Sequence, residues 1–252
     1  MHDSFEQVRT ALGKARRVVI FVGEELGAEK HLAPATEAEK QEDSVVNYPP
    51  EELATVDTFR RDPIRLWRWY LWRRDRIART PRRTWPESLT TLCNQVDRVT
   101  LITENVDALH ARVPATEQIE LHGSIWRTRC THCGRVRDDV RTVIAELPPV
   151  CDHCGGLVRP DIVLFGESLD AGIMERALRA ACAADVFLAL GTGSSIEPAA
   201  SLAGFAREDG ALVVGIDRDA TLFSSLATTQ LLGPVDYLLD ALVHGHPVAV
   251  TE

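Results

Sequence analysis

The chain is short of several things, and each shortage closes off a class of protein. No apolar run approaches the roughly 20 residues that a membrane-spanning helix needs, so no such span is expected. Met1 to Glu6 carry no basic stretch leading into an apolar one, so no secretory leader is expected. Positive charge is scarce. Lys and Arg number 28 against 37 Asp and Glu, and the net charge of −9 argues against general nucleic-acid binding. Only six cysteines occur, four of them in two Cys-x-x-Cys pairs, which points to a reducing, cytoplasmic setting rather than a disulfide-stapled scaffold. The remaining two, Cys93 and Cys182, are expected as buried thiols. No internal repeat is visible. The last shortage is local. Val18 to Gly23 is a continuous apolar run closed by glycine, the pattern of a buried parallel strand. A nucleotide-binding fold would follow such a strand with a glycine-rich turn, because phosphates need bare backbone. Here Glu24-Glu25 follows, and two carboxylates would repel a pyrophosphate.

What is present is organised around Cys130-Thr131-His132-Cys133 and Cys151-Asp152-His153-Cys154, separated by seventeen residues, 134–150. Each pair closes a tight turn that aims two sulfurs at one point. Two such turns make a closed tetrahedral thiolate shell, the pattern of a structural zinc ribbon. Two disulfides are the alternative. Around this insert, strand and helix alternate. Helices are expected over 3–15, 51–80, 86–96, 170–183 and 199–207. Strands are expected over 18–23, 98–103, 118–124, 161–167, 185–190 and 211–217, with a last short strand and helix within 231–243. That alternation predicts an α/β fold, a Rossmann-like doubly wound parallel sheet with the ribbon inserted. Residues 1–125 and 158–252 would form the large domain and 126–157 the small one, with the loop and helices of 24–80 free to pack on the latter. Residues 27–50 read as a long loop or lid. Ten arginines lie between Arg60 and Arg83, a basic patch on an acidic chain. Trp67, Trp69 and Trp72 read as packing and His110 as structural.

Polar groups just past the carboxyl ends of parallel strands are where such folds hold ligands. Three places qualify: Glu104-Asn105-Val106-Asp107, the turn Gly191-Thr192-Gly193-Ser194-Ser195, and Asp217, where a ribose hydroxyl could sit.

Taken together, Thr103 to His110, Glu120-Leu121-His122-Gly123-Ser124, the four-cysteine ribbon, Arg159 to Glu167, and Gly191-Thr192 through Pro198-Ala199-Ala200 resemble the sirtuin family. The resemblance implies an active-site cleft between a Rossmann-like domain and a zinc domain. It implies a reaction in which NAD and an acyl-lysine protein or peptide give nicotinamide, free lysine and an O-acyl-ADP-ribose. His122 matches the family's general base, a task that suits a pKa near neutrality. Asn105 and Asp107 match the polar pair lining the nicotinamide and ribose pocket. Gly23, Gly191, Thr192, Ser194 and Asp217 fall on the remaining dinucleotide contacts. Val163 to Gly166, with Val163, Phe165 and Gly166 as substrate contacts, match the strand that pairs with the peptide. Tyr70-x-x-Arg73 resembles the subgroup that removes acidic acyl groups such as succinyl and malonyl. An arginine fork and a tyrosine hydroxyl suit a carboxylate.

The departures cluster on one ligand. The family's Gly-Ala-Gly turn is Gly23-Glu24-Glu25, its Pro-Asn-x-x-His segment becomes Pro81-Arg82-Arg83-Thr84-Trp85, the serine of its Gly-Thr-Ser turn is Gly193, and its last asparagine is Asp217. Three expectations follow. The first is an NAD-dependent lysine deacylase with an altered cofactor loop and a preference for acidic acyl groups. The second is a sirtuin-derived enzyme with changed chemistry on an NAD-like nucleotide. The third is a non-catalytic peptide-binding module. No membrane and no specific nucleic acid is expected as partner.

Overall fold

A computed structural model describes residues 2–32, 34–41, 44–193 and 197–246. Most of the expected elements form, but the helix expected over 51–80 is three helices, broken at Ala54-Thr55 and at Asp62, and the strand expected over 118–124 divides at Leu121-His122 between two sheets. The helices are α1 His2–Lys14, α2 Pro50–Leu53, α3 Val56–Arg61, α4 Pro63–Arg79, α5 Trp85–Gln95, α6 Ala171–Cys182, α7 Ala199–Glu208 and α8 Val235–His244. The strands are β1 Arg17–Val22, β2 Arg98–Thr103, β3 Glu117–Glu120, β4 Gly123–Cys130, β5 Val136–Asp138, β6 Val158–Ile162, β7 Val186–Leu190, β8 Leu212–Asp217 and β9 Thr229–Leu232. Among the described residues no helix is long and apolar enough to cross a membrane.

Six strands make one parallel sheet in the order β3-β2-β1-β7-β8-β9. The continuous apolar runs explain why it is covered on both faces. In β1 the side chains alternate. Val18, Ile20 and Val22 pack with Phe5, Val8 and Leu12 of α1, Leu89 and Leu92 of α5, and Leu238, Leu239 and Leu242 of α8. Val19 and Phe21 point the other way, onto Ala177 and Ala181 of α6 and Leu202, Ala203 and Ala206 of α7. The strand order runs outward in both directions from the β1–β7 pair. The crevice beyond the carboxyl ends of β1 and β7 is therefore the topological switch point, where open α/β sheets take their ligands.

The second sheet is small and antiparallel, β5-β4-β6. It carries the cysteines. Helix α4 packs on it: Trp67 is fully buried against Cys130, Cys151 and Val158, and its indole donates to the Val158 carbonyl at 2.8 Å. The start of α4 is set by Asp62, whose carboxylate accepts from the Arg65 N–H, followed by Pro63 in the first turn.

Two further expectations are corrected. The strand read over 161–167 begins earlier and ends at Ile162. Beyond it the chain stays extended but serves two neighbours, with Val163 N–H donating to the His122 carbonyl and Phe165 exchanging hydrogen bonds with Ala54 and Val56. Cys93 and Cys182 are half-buried rather than buried.

Candidate active site and metal centre

The four ribbon cysteines converge. Their sulfurs all lie within 4.8 Å of one another, with Cys130 Sγ to Cys154 Sγ at 3.5 Å and Cys133 Sγ to Cys151 Sγ at 3.8 Å. Tetrahedral zinc with Zn–S near 2.3 Å separates its sulfurs by about 3.8 Å, so the donor set fits zinc. Backbone N–H groups of His132 and Cys133 point at Cys130 Sγ, the usual support for a thiolate ligand. Gly156 stands where a Cβ would meet His132 Cβ at 2.7 Å, so the second turn can close around the sulfurs only without a side chain.

The other site is a cleft of about 800 Å³ between the large sheet, α4 and the 163–167 segment. It brings together residues that lie far apart in sequence: Glu24, Glu29, Tyr70, Arg73, Asn105, Asp107, His122, Val163, Phe165 and Gly166. Each has a structural reason to be there. Asn105 and Asp107 sit directly after β2, where the Asn105 N–H is anchored on Thr103 Oγ1 at 3.0 Å and the Asn105 amide donates to the Gly23 carbonyl at 2.9 Å. Asp107 is buried and accepts from the N–H groups of Leu109 and Ala28, at 2.9 and 2.5 Å. Burial pushes its carboxyl upward in pKa, against those N–H donors and the charges of His110 and Arg73. His122 lies in the corner between β3 and β4. Burial lowers its pKa below the ordinary imidazole value, which favours the neutral ring at neutral pH.

At the floor of the cleft, Tyr70 is fully buried and its hydroxyl has no hydrogen-bond partner among the described residues. Arg73 lies over Trp69 at 4.4 Å and Tyr70 at 5.3 Å, and its guanidinium pairs with the Glu29 carboxylate. Trp67 and Trp69 are packing residues, as read from sequence, and His110 is buried with a 2.9 Å link to Glu120.

The dinucleotide end differs from expectation. Glu24 to Leu26 form a 3-10 turn, and Ala28 to His31 a second one. Glu24, Glu25 and Leu26 lie against the Gly191–Gly193 turn, whereas Glu29, Lys30 and His31 are exposed. A Cβ on Gly193 would lie 2.8 Å from Glu24 Oε1 and 3.2 Å from Glu25 Cγ, and one on Gly23 would lie 2.5 Å from the Gly191 carbonyl. Several backbone N–H groups of these two turns are engaged within the chain. Glu25 N–H goes to Gly191 O at 3.1 Å, Leu26 N–H to Gly23 O at 3.3 Å, and Gly27 N–H to Glu24 O at 3.1 Å. Gly191 N–H goes to Ile216 O, and Thr192 gives both its N–H and its hydroxyl to Asp217, at 2.7 and 3.0 Å. Asp217 is fully buried by this role, so its carboxylate braces the turn instead of facing a ribose. Ser194 lies outside the described residues. The cleft thus gathers Asn105, Asp107 and His122, and Glu24 and Glu25 lie beside it against the Gly191–Gly193 turn.

Sequence reasoning missed how this segment is held. Trp85 Nε1 donates to Leu26 O at 3.2 Å, Lys30 pairs with Glu24 at 3.1 Å, and His31 Nε2 lies 3.0 Å from the Glu25 carbonyl and 2.9 Å from Arg83, donating to the first or accepting from the second according to its tautomer. Trp85 replaces a family histidine, which was the available signal. The Arg73–Glu29 pair had none, since the two are 44 residues apart.

Comparison with known proteins agrees with this arrangement. The description "Sir2 family" matches residues 45–198, beginning downstream of the altered loop. An NAD-dependent protein deacylase of Aquifex aeolicus is 41% identical over 199 residues, 76% of this chain and 83% of that protein. NAD-dependent protein deacylase 2 of Pyrobaculum aerophilum is 37% identical over 240 residues, 94% of this chain and 93% of that one. Among solved structures, a Sir2 homolog–NAD complex superposes with a TM-score of 0.80 at 31% identity, covering 95% of this chain and 93% of the other. By the matched family description and by these identities and coverages, the chain belongs to the Sir2 family.

Proposed function

We propose that the protein is an NAD-dependent protein-lysine deacylase that prefers acidic acyl groups such as succinyl and malonyl. The observation that carries the reading is the single cleft that holds His122, Asn105 and Asp107 beside the extended Val163–Gly166 segment, at the sheet's switch point. Two relatives named as NAD-dependent protein deacylases support the reaction class. NAD supplies the ribose carbon that the acyl oxygen attacks as nicotinamide departs. The chain's residues then have defined tasks. His122, kept neutral by burial, takes the proton of a ribose hydroxyl. Asn105 and Asp107, fixed by Gly23, Ala28 and Leu109, orient the nicotinamide-ribose half. Phe165, exposed at the cleft mouth, and the backbone of Val163 and Gly166 receive the peptide. Arg73 and the unpartnered Tyr70 hydroxyl at the cleft floor support the acidic-acyl preference: a carboxylate there gains a charged fork and a hydroxyl donor. Residues 1–125 and 158–252 act as the cofactor-holding body and 126–157 as the zinc-bearing part, with α4 packed on the small sheet beneath the cleft.

The test is mass spectrometry of succinyl-, malonyl- and acetyl-lysine peptides incubated with NAD and the zinc-loaded protein. Loss of the acyl mass, with O-acyl-ADP-ribose formed in step and no reaction by His122→Ala, is the expected result. Turnover that survives His122→Ala would overturn it. A second reading draws on Glu24 and Glu25 against the Gly191–Gly193 turn: a Sir2-derived enzyme whose chemistry has moved to another NAD-like nucleotide. The same assay with a panel of nucleotides separates the two.

A further inference from the structure

Arg73 is the cation that the acidic-acyl reading needs, and its charge is already answered. Its guanidinium is only 12% exposed, stacks over Trp69 and lies beside Tyr70. Its fork meets the Glu29 carboxylate. Glu29 lines the same cleft as Tyr70, Arg73 and His122. A succinyl or malonyl carboxylate arriving at Arg73 would find another carboxylate there. Glu29 holds the NH2 end of the guanidinium, so a second carboxylate reaching that same end from the cleft must displace it. The Tyr70 hydroxyl, buried and without a partner, is the donor that remains for an incoming acyl group.

Resting on the acidic-acyl reading above, we infer that Glu29 is an internal occupant of the acyl-carboxylate position and tempers the acyl specificity of the cleft. With Glu29 on Arg73 the NH2 end of the fork is taken, and an acidic acyl group claims it by displacing Glu29, so Glu29 weakens the acidic preference that Arg73 and Tyr70 confer without reversing it. Displacement is feasible from where Glu29 stands. It is the more exposed partner, at 37%, and belongs to a four-residue 3-10 turn rather than a long helix. Ala28, next to it, is tied to Asp107, so the backbone can remain while the side chain swings. Asp107 adds a second negative charge near Arg73, which raises the barrier for a third.

The experiment measures binding of fluorescent succinyl-lysine and acetyl-lysine peptides of one sequence by polarisation, without NAD. It uses wild type, Glu29→Gln, Arg73→Met and the double variant, each checked for zinc content and thermal unfolding. Glu29→Gln should tighten the succinyl peptide at least ten-fold and leave the acetyl peptide within two-fold. The gain should vanish in the double variant, and Glu29→Asp should restore wild-type behaviour. If Arg73→Met weakens the succinyl peptide while Glu29→Gln changes nothing, Arg73 reads the carboxylate but Glu29 does not compete, and this inference falls alone. If Arg73→Met leaves succinyl binding unchanged in both backgrounds, the acidic-acyl reading falls with it.

Discussion

Replacing Glu24 by Ala and Glu25 by Gly together should tighten NAD binding. Glu24 Oε1 is 2.8 Å from where a Gly193 Cβ would stand, so a phosphate seated against Gly193 would have this carboxylate as a neighbour, taken here at a contact separation of about 4 Å. Two unit charges at 4 Å repel by about 1 kcal/mol in water and about 4 kcal/mol at an effective dielectric of 20. The Glu24 side chain is 33% exposed and paired with Lys30, which keeps the value toward the lower end. Taking about 1–2 kcal/mol per carboxylate, the pair opposes binding by about 2–4 kcal/mol, roughly 30- to 1,000-fold in Kd.

The assay is calorimetric titration of NAD into zinc-loaded protein. The double variant should bind at least ten-fold tighter than wild type. Because the repulsion is electrostatic and partly solvent-exposed, the difference should shrink as NaCl rises from about 0.05 to about 0.5 M, where screening shortens from roughly 14 Å to about 4 Å. Lys30→Ala, which removes the Lys30–Glu24 pair, should move Kd the opposite way. Equal Kd for wild type and double variant, within two-fold, would refute the reasoning. Either NAD does not use this turn, or the segment leaves it at no cost.

Three further outcomes are expected. The pH profile of kcat/KM should have its acid limb below the ordinary imidazole value of about 6.5, because burial lowers the His122 pKa and the base form is required. A limb above that value would remove His122 as the base. Zinc removal should collapse the β5-β4-β6 sheet, whose core beyond the cysteines is little more than Trp67 and Val158. Losing several kcal/mol should lower Tm by about 10 °C or more and shift tryptophan emission to the red, as Trp67 loses its buried setting. Arg74→Met should also destabilise. Arg74 is fully buried and donates to the carbonyls of Ile125 and Arg141 at 2.7 and 2.9 Å. Asp139 keeps Arg141 as a partner, so the loss is two orphaned carbonyls, about 2–4 kcal/mol, read as a Tm drop of about 5–15 °C.

What the sequence reveals and what it hides divide along one physical line. β1 and β7 were legible because burial on both faces leaves a continuous apolar run, and the metal centre because tetrahedral coordination demands paired thiols at close spacing. Both are local constraints written into neighbouring residues. The charges at Glu24, Glu25 and Asp217 were equally visible, yet their partners were not. Asp217 reads as a ribose acceptor from its place at a strand end, but its carboxylate is consumed by Thr192, 25 residues earlier. The resemblance carried by Tyr70-x-x-Arg73 implies an open acid pocket, while the carboxylate on Arg73 comes from a different segment. A polar side chain's chemistry depends on whether its hydrogen bonds are already made, and that is decided by tertiary contacts between segments with no fixed spacing. The departures from the family pattern follow the same rule. Gly193, Trp85 and Asp217 look like separate losses in the chain, but each now touches the Glu24–Leu26 segment or braces the turn it lies on. They behave as one replacement, so reverting Glu24 and Glu25 while Trp85 still holds the Leu26 carbonyl should recover only part of the NAD affinity, with Trp85→His supplying a further increment measurable in the same titration.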